Sequence, residues 1–376
     1  MSPRATLLAA VLLVASLAVV AATFRFGGTL AFTLALAVPA TEAWRGPFVQ
    51  PVAREEIAFA AAGRTLVADL YRPARPRRAT LLVHGLSTFG RRQPDLARFA
   101  RLLAAEGQLV LVPDFPGLIA FRLGGREVEE IGAALDHLAT LGAPTPARPD
   151  PAGPLAIAGF SFGAGPALLA AAERPGVRLV ASFGGYADLR HVIAFITTGA
   201  HAYGERRYVQ RQEEYNRWKL LGLLVGFVED TRDRAALDAL STRKLANPSE
   251  DTGALETGLG VEGRSVLALV RNGSEAEVAP LLTRLSPRTQ HALERLSPLA
   301  RLGRIRARLL IAHGAGDDSI PFTESLRVAE AAGTRAVILE TFHHTGPTPF
   351  LALLLPRARD ASRLARLADA LLRFGD

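Results

Sequence analysis

The sequence predicts a doubly wound, mostly parallel α/β sheet that carries a helical insertion, and three observations predict it. Apolar runs of strand length alternate with segments of helical periodicity over residues 79–183, and the alternation returns over residues 309–374. Between the two blocks, residues 189–306 hold no strand-length apolar run closed by a turn. At the heart of the first block, residues 155–165 read LAIAGFSFGAG, an apolar strand leading into a glycine-flanked turn and then a small-residue helix.

Taken in order, Glu55–Phe59 and Thr65–Tyr71 alternate in polarity around Ala62-Gly63-Arg64 and predict an antiparallel hairpin. Ala79–Val83 is continuously apolar, as expected of a strand buried on both faces of a parallel sheet, and it ends in His84-Gly85-Leu86. Leu96, Phe99, Leu102 and Leu103 fall at helical spacing, and Gly107 stops that helix. Leu109–Val112 is the next buried strand; Val128, Ile131, Leu135 and Leu138 form the stripe of a further helix before the strand at 155. Leu179–Phe183 is another strand. Residues 189–306 then turn polar and helix-like, at 213–228 and 235–244 above all, which predicts a lid or cap between two sheet strands. Strands at Leu309–Ala312 and Ala336–Glu340, with helices at 323–332 and 360–374, complete the pattern. The expected organisation is therefore an N-terminal apolar segment and linker (1–44), a core (45–188 and 307–376) and the insertion (189–306).

Composition narrows the function classes. The 376 residues are 49% hydrophobic and 21% charged, enough apolar material for a sizeable core. The net charge of +8 rests on arginines, since Lys219 and Lys244 are the only lysines. Those arginines are scattered among acids without clustered aromatics, so no nucleic-acid footprint is expected. Cysteine is absent, which removes disulfides, thiolate chemistry and cysteine metal sites.

Twenty uncharged residues run from Ala5 to Phe24 between Arg4 and Arg25. A helix of that length reaches ~30 Å, the thickness of a bilayer's hydrocarbon core. A retained single membrane span is the favoured reading. A cleaved signal peptide, with small-residue sites at Val20-Ala21-Ala22 or Val38-Pro39-Ala40, and a helical hairpin made with the second uncharged run at 26–41 are the alternatives. Arginines flank the first run on both sides and leave sidedness open.

Chemistry is carried by Gly159-Phe160-Ser161-Phe162-Gly163, a G-x-S-x-G nucleophile elbow in its strand–turn–helix context. A serine hydroxyl needs a general base, and the base an orienting carboxylate. In such a sheet these groups sit on loops at the carboxyl ends of strands. Two further segments qualify: His313-Gly314-Ala315-Gly316-Asp317-Asp318-Ser319-Ile320-Pro321 and Thr341-Phe342-His343-His344-Thr345. Serine, acid and histidine then follow in the chain order of this fold.

With these motifs the chain resembles the α/β-hydrolase superfamily, nearest the dienelactone-hydrolase-like and prolyl-oligopeptidase-like branch, over residues 55–374. His84-Gly85, the elbow, His313-Gly314-x-x-Asp317-x-x-Ile320-Pro321 and a histidine after the last strand carry the resemblance. It implies Ser161 as nucleophile, Asp317 as acid and His344 as base, with His343 its rival. It also implies an oxyanion hole from the backbone N–H groups of Phe162 and Leu86. Asp318 and Asp188 are the alternative acids. His84 and His313 are expected to shape loops, Asp114 to hold a turn, and His137, His191, His201 and His291 to serve as surface or packing residues.

The expected reaction is acyl transfer to water through an acyl-serine, with no metal or organic cofactor required. An ester, thioester or lactone is the expected substrate class and an amide or peptide the alternative, because a helical cap without a large recognition domain suits small substrates. The apolar stretch 220–227 would line an acyl pocket, rest on a membrane or pack on the core. A membrane-tethered binding protein that keeps the fold without turnover is the reading from a different class. Oligomeric state is not legible.

Overall fold

The computed structural model describes residues 26–142, 153–343 and 354–375. Helix α1 covers 26–37 and passes through a 3-10 turn, Pro39–Phe48, into the antiparallel pair β1 (Val52–Ala61) and β2 (Arg64–Pro73). The core continues through β3 (Arg78–Val83), α2 (Pro94–Ala105), β4 (Gln108–Pro113), the short α3 (Pro116–Ile119), α4 (Arg126–Gly142), β5 (Leu155–Phe160), α5 (Ala164–Ala172) and β6 (Val177–Phe183). Next come α6 (Leu189–Thr198), β7 (Ala200–Tyr203), β8 (Arg206–Val209), α7 (Glu214–Val225), α8 (Thr231–Ala246) and α9 (Gly253–Thr257). Then α10 (Val261–Arg271), α11 (Glu275–Thr283) and α12 (Pro287–Arg295) lead back to β9 (Arg308–Gly316), α13 (Phe322–Ala331), β10 (Ala336–His343) and α14 (Leu354–Leu372).

Among the described residues the main sheet has eight strands in the order β1-β2-β4-β3-β5-β6-β9-β10. β1 and β2 run antiparallel to their neighbours and every later pairing is parallel, so the fold class is the doubly wound, mostly parallel one. All residues of β3 and β4 are buried, as their continuous apolar runs require when helices cover both faces. One face is covered by α4, α5 and α13 and merges with the apolar interior of the insertion, where Leu220, Leu221, Leu223, Leu224, Val225 and Phe227 all point inward. The other face is covered by α1, α2 and α14, with Phe32, Phe99, Leu103 and Leu371 at its centre. Fully burying each such side chain contributes about 1.5–3 kcal/mol.

Strand order reverses at β3: β4 lies on one side of it and β5 on the other. Crevices at such a switch point, outside the carboxyl ends of the strands, are where ligands bind in open α/β sheets.

Three expectations need comment. The insertion is mostly helical, but after its first helix, α6, it carries a small hairpin, β7 with β8, that polar composition hid. Gly204 turns it at φ 57°, and His201 stacks on Tyr208 and meets the edge of Phe322 from α13, so the hairpin is held by rings rather than by an apolar run. The last strand extends to His343, which pairs with Gly316 after a register shift beyond Leu339, so His343 ends the strand instead of following it. The second uncharged run does not stand away from the domain: Phe32 of α1 is fully buried, 6.3 Å from the Phe99 ring, and Thr29 Oγ1 donates to Asp369 at 3.1 Å. The span expected at residues 5–24 lies outside the described residues; among those described, no helix is long and apolar enough to cross a membrane.

Candidate active site

β5 ends at Phe160 and α5 begins at Ala164, so Ser161–Gly163 must reverse the chain within a single 3-10 turn. Ser161 takes the load with φ 52°, left-handed backbone that a serine adopts at a cost of about 1–2 kcal/mol. Its flanks leave no room for side chains. A Cβ at Gly159 would lie 2.5 Å from Ala164 Cα, and one at Gly163 would enter the His84 carbonyl. A Cβ at Gly85 would stand 2.9 Å from Ser161 Cβ and 3.5 Å from its Oγ. The loop after β3 is therefore pressed against the serine, as the close approach of Gly85 permits, and Phe162 N–H belongs to the same turn.

His84 is fixed as a neutral ring. Its Nδ1–H donates to Gly85 O at 2.8 Å and its Nε2 accepts from Phe115 N at 3.1 Å. Burial pushes its pKa below the ordinary value. The ring thus ties the loop after β3 to the loop after β4, a structural task in line with the expectation. Arg91 reinforces the same region: it is buried, sits 3.3 Å from Asp69 Oδ1 and also pairs with Asp114 and Glu56. Asp114 in turn accepts from the Arg91 backbone N–H at 2.8 Å, so its carboxylate ties the segments after β3 and β4 together instead of closing its own turn.

Asp317 is the first residue after β9 and is buried. Its Oδ1 accepts from the N–H groups of Ser319 at 2.9 Å and Ile320 at 3.0 Å, an Asx turn that holds the carboxylate. Its Oδ2 lies 3.7 Å from His313 Nε2, and 3.4 Å from where a Cβ on Gly184, just past β6, would stand. The acid thus sits at the same carboxyl edge as Ser161, on the far side of β6 from β5. His313 is committed to structure: Nε2–H donates to Ile320 O at 2.9 Å, which leaves Nδ1 to accept from Ser325 Oγ at 2.7 Å.

Asp318 lends its backbone carbonyl to Asn216 Nδ2 at 2.9 Å. Asp188 caps α6, its Oδ1 accepting from Arg190 N at 2.8 Å and from Ser297 Oγ at 3.2 Å. His344 lies outside the described residues; His343 is placed by its backbone at the end of β10, beside Gly316 and hence beside Asp317. His137 stacks on Phe59 at 4.4 Å, and His191 Nδ1 bonds Glu324 Oε1 at 3.0 Å. Both are packing residues.

Sequence reasoning missed the helix that meets the acid loop. Asn216 and Lys219 of α7 reach Asp318 and Ser319, and Gln210 Nε2 donates to Gly316 O at 3.2 Å. The signal was faint, because Asn216 and Lys219 sit among Glu214 and Arg217 in the polar first half of α7 and their partner lies a hundred residues away. A separate surface cavity of about 500 Å³ lies at the opposite, amino ends of β9 and β10, lined by Leu302, Ile305, Leu309 and Val337 among others.

No protein-family model and no curated protein matches the chain. Among solved structures it is similar to the 2,6-dihydroxy-pseudo-oxynicotine hydrolase, with 17% identity over 89% of this chain and 71% of that one and a TM-score of 0.46. It is also similar to the Pyrococcus horikoshii acylaminoacyl peptidase, with 14% identity, 89% and 44% coverage and a TM-score of 0.48; the chain spans less than half of that peptidase. The esterase domain of a Rhodothermus marinus protein is 18% identical over 85% of this chain and 97% of that one, with a TM-score of 0.44. At these identities and scores, function has to be read from the site itself.

Proposed function

We propose that the chain is a serine hydrolase that cleaves an ester, thioester or lactone through an acyl-Ser161 intermediate. The observation that carries the reading is the strained turn at Ser161, φ 52°, walled by Gly85, Gly159 and Gly163. Ala62 and Phe121 also take left-handed backbone, in turns; Ser161 differs from them in bearing a hydroxyl, at the carboxyl end of a central strand with glycines pressed around it. In this reading His344 takes the Ser161 proton, with His343 as the rival base. Asp317 stabilises the imidazolium, and the N–H groups of Leu86 and Phe162 receive the oxyanion. The acyl-enzyme is then hydrolysed by a water that the same histidine deprotonates. The helical insertion is the cap over this site and suits a small substrate.

Labelling with a fluorophosphonate, the adduct located by mass spectrometry, tests the reading. Wild type should be modified on Ser161 and Ser161→Ala should not; folded wild type that resists the probe would favour a binding protein without turnover. Matched p-nitrophenyl esters and aminoacyl anilides separate ester from amide chemistry, and cleavage of anilides alone would make the chain a peptidase or amidase.

The N-terminal reading is membrane association. Phe26, Leu30 and Leu34 form an exposed apolar stripe at four-residue spacing on α1, soon after the uncharged run at 5–24. Cleavage after Ala40 would remove α1 and with it the buried Phe32, which argues against that site; cleavage after Ala22 would leave α1 in place and is the alternative to a retained segment. Fractionation of full-length chain with membranes, resistant to high salt and released by detergent, is the expected outcome; recovery in the soluble fraction would overturn it.

A further inference from the structure

The turn that holds Asp317 is itself held from the insertion. Asn216 and Lys219 are three residues apart on α7 and so share one face of the helix. Asn216 Nδ2 donates to Asp318 O at 2.9 Å, which orients the amide and leaves Oδ1 as the acceptor opposite Ser319. Ser319 Oγ lies 3.2 Å from that Oδ1 and 3.2 Å from Lys219 Nζ. The ammonium can only donate, so the hydroxyl accepts from Lys219 and gives its proton to Asn216, the nearer acceptor, with Asp318 Oδ1 further off at 3.5 Å. The Ser319 N–H donates to Asp317 Oδ1 at 2.9 Å. Asn216, Ser319 and Asp317 are all buried, with 3%, 2% and 6% exposure, so water does not compete for these bonds. The result is one continuous set of hydrogen bonds from an insertion helix to the carboxylate.

We propose that α7 is a fixed wall of the acid site, with Asn216 and Ser319 as positioning residues that set the Asp317 carboxylate. This rests on the serine hydrolase reading and deepens it. A lid free to swing as one body would break the Asn216 and Lys219 bonds each time it opened. Any part of the insertion that moves to admit substrate therefore does so without α7, and a perturbation of α7 reaches the acid rather than the substrate. Loss of the Ser319 hydroxyl or the Asn216 amide lets the turn relax, and a misplaced acid slows proton transfer from Ser161 without altering what binds in front of it.

The test is the concentration dependence of Ser161 modification by a fluorophosphonate, which separates the maximal rate from the half-saturating concentration. Ser319→Ala and Asn216→Ala should each lower the maximal rate about 10- to 100-fold, with the half-saturating concentration within about twofold of wild type. The double variant should be no slower than the slower single, because both changes break one connection. Arg122→Ala removes another contact between core and insertion, the 2.6 Å pair with Asp238, and should stay within about twofold of wild type. Ser319→Ala deletes one oxygen and keeps the backbone N–H, so it decides the matter even where Asn216→Ala yields no folded protein. Wild-type rates in Ser319→Ala would overturn the proposal and leave the serine reading intact, as would losses that multiply in the double variant or an equal loss in Arg122→Ala. Wild type that is not modified at all would instead overturn the serine reading and this proposal with it.

Discussion

Gly85 and Ser161 are packed so closely that a Cβ on the first would stand 2.9 Å from the Cβ of the second, inside the distance at which real carbon atoms coexist. Gly85→Ala must therefore move either the serine or the loop that carries the Leu86 N–H. The expected cost is about 1–3 kcal/mol of stability from overpacking. Modification of Ser161 should slow at least about 100-fold, the typical loss when one oxyanion donor is displaced. Thermal melts and probe kinetics on the same preparation check both; normal labelling would show that the loop has room to give.

Ser161 offers a stability test that owes nothing to a substrate. Its φ of 52° disfavours any residue with a Cβ and suits glycine. Ser161→Gly should be about 1 kcal/mol more stable than Ser161→Ala, although both are inert to the probe. Equal melting temperatures for the two variants would argue that the turn relaxes in solution.

Arg91 is a buried cation in the segment that follows β3. Asp69 beside it is fully buried, and neither of its oxygens has a hydrogen bond of normal geometry, so the Arg91 charge is what compensates that carboxylate. Arg91→Met should destabilise the protein by about 3–5 kcal/mol by stranding the charge. Arg91→Met with Asp69→Asn should recover part of that loss. A denaturant titration of the two variants reads the difference directly, and no recovery in the double variant would mean that the pair is not what Arg91 serves.

Histidine titration gives the fold an acid-sensitive side. Burial brings the pKa of His201 down from 6.5 to about 4, and lowers those of His84 and His137 as well. A group with a depressed folded-state pKa takes up a proton on unfolding, so its contribution is complete above pH 6.5 and is lost as pH falls toward 4. His191 works the other way: its bond to Glu324 raises its pKa, so its contribution is complete below the unfolded value and fades as pH rises through the folded one. The melting temperature should fall between pH 7 and pH 5. His201→Gln should make the fall shallower and His191→Gln steeper; unchanged slopes would place the acid sensitivity elsewhere.

The sequence by itself determined the fold class, the elbow and the order of the chemical groups. Period-two and period-3.6 patterns report burial within one element, and Gly159, Gly163 and Gly85 report close approaches by the side chains they lack. The strands at 79–83, 109–112 and 179–183 were legible because a strand covered on both faces must be almost wholly apolar, with only Thr80 and Ser182 polar among those residues. Tertiary structure alone decided what depends on partners distant in the chain. The β7–β8 hairpin is held by Phe322, over a hundred residues away, so its own residues can be polar. The same holds for the inward packing of 220–227 and for the tie from Asn216 to the turn that seats Asp317. A hydrogen bond between groups so far apart has no period, and only the folded chain brings its two ends together.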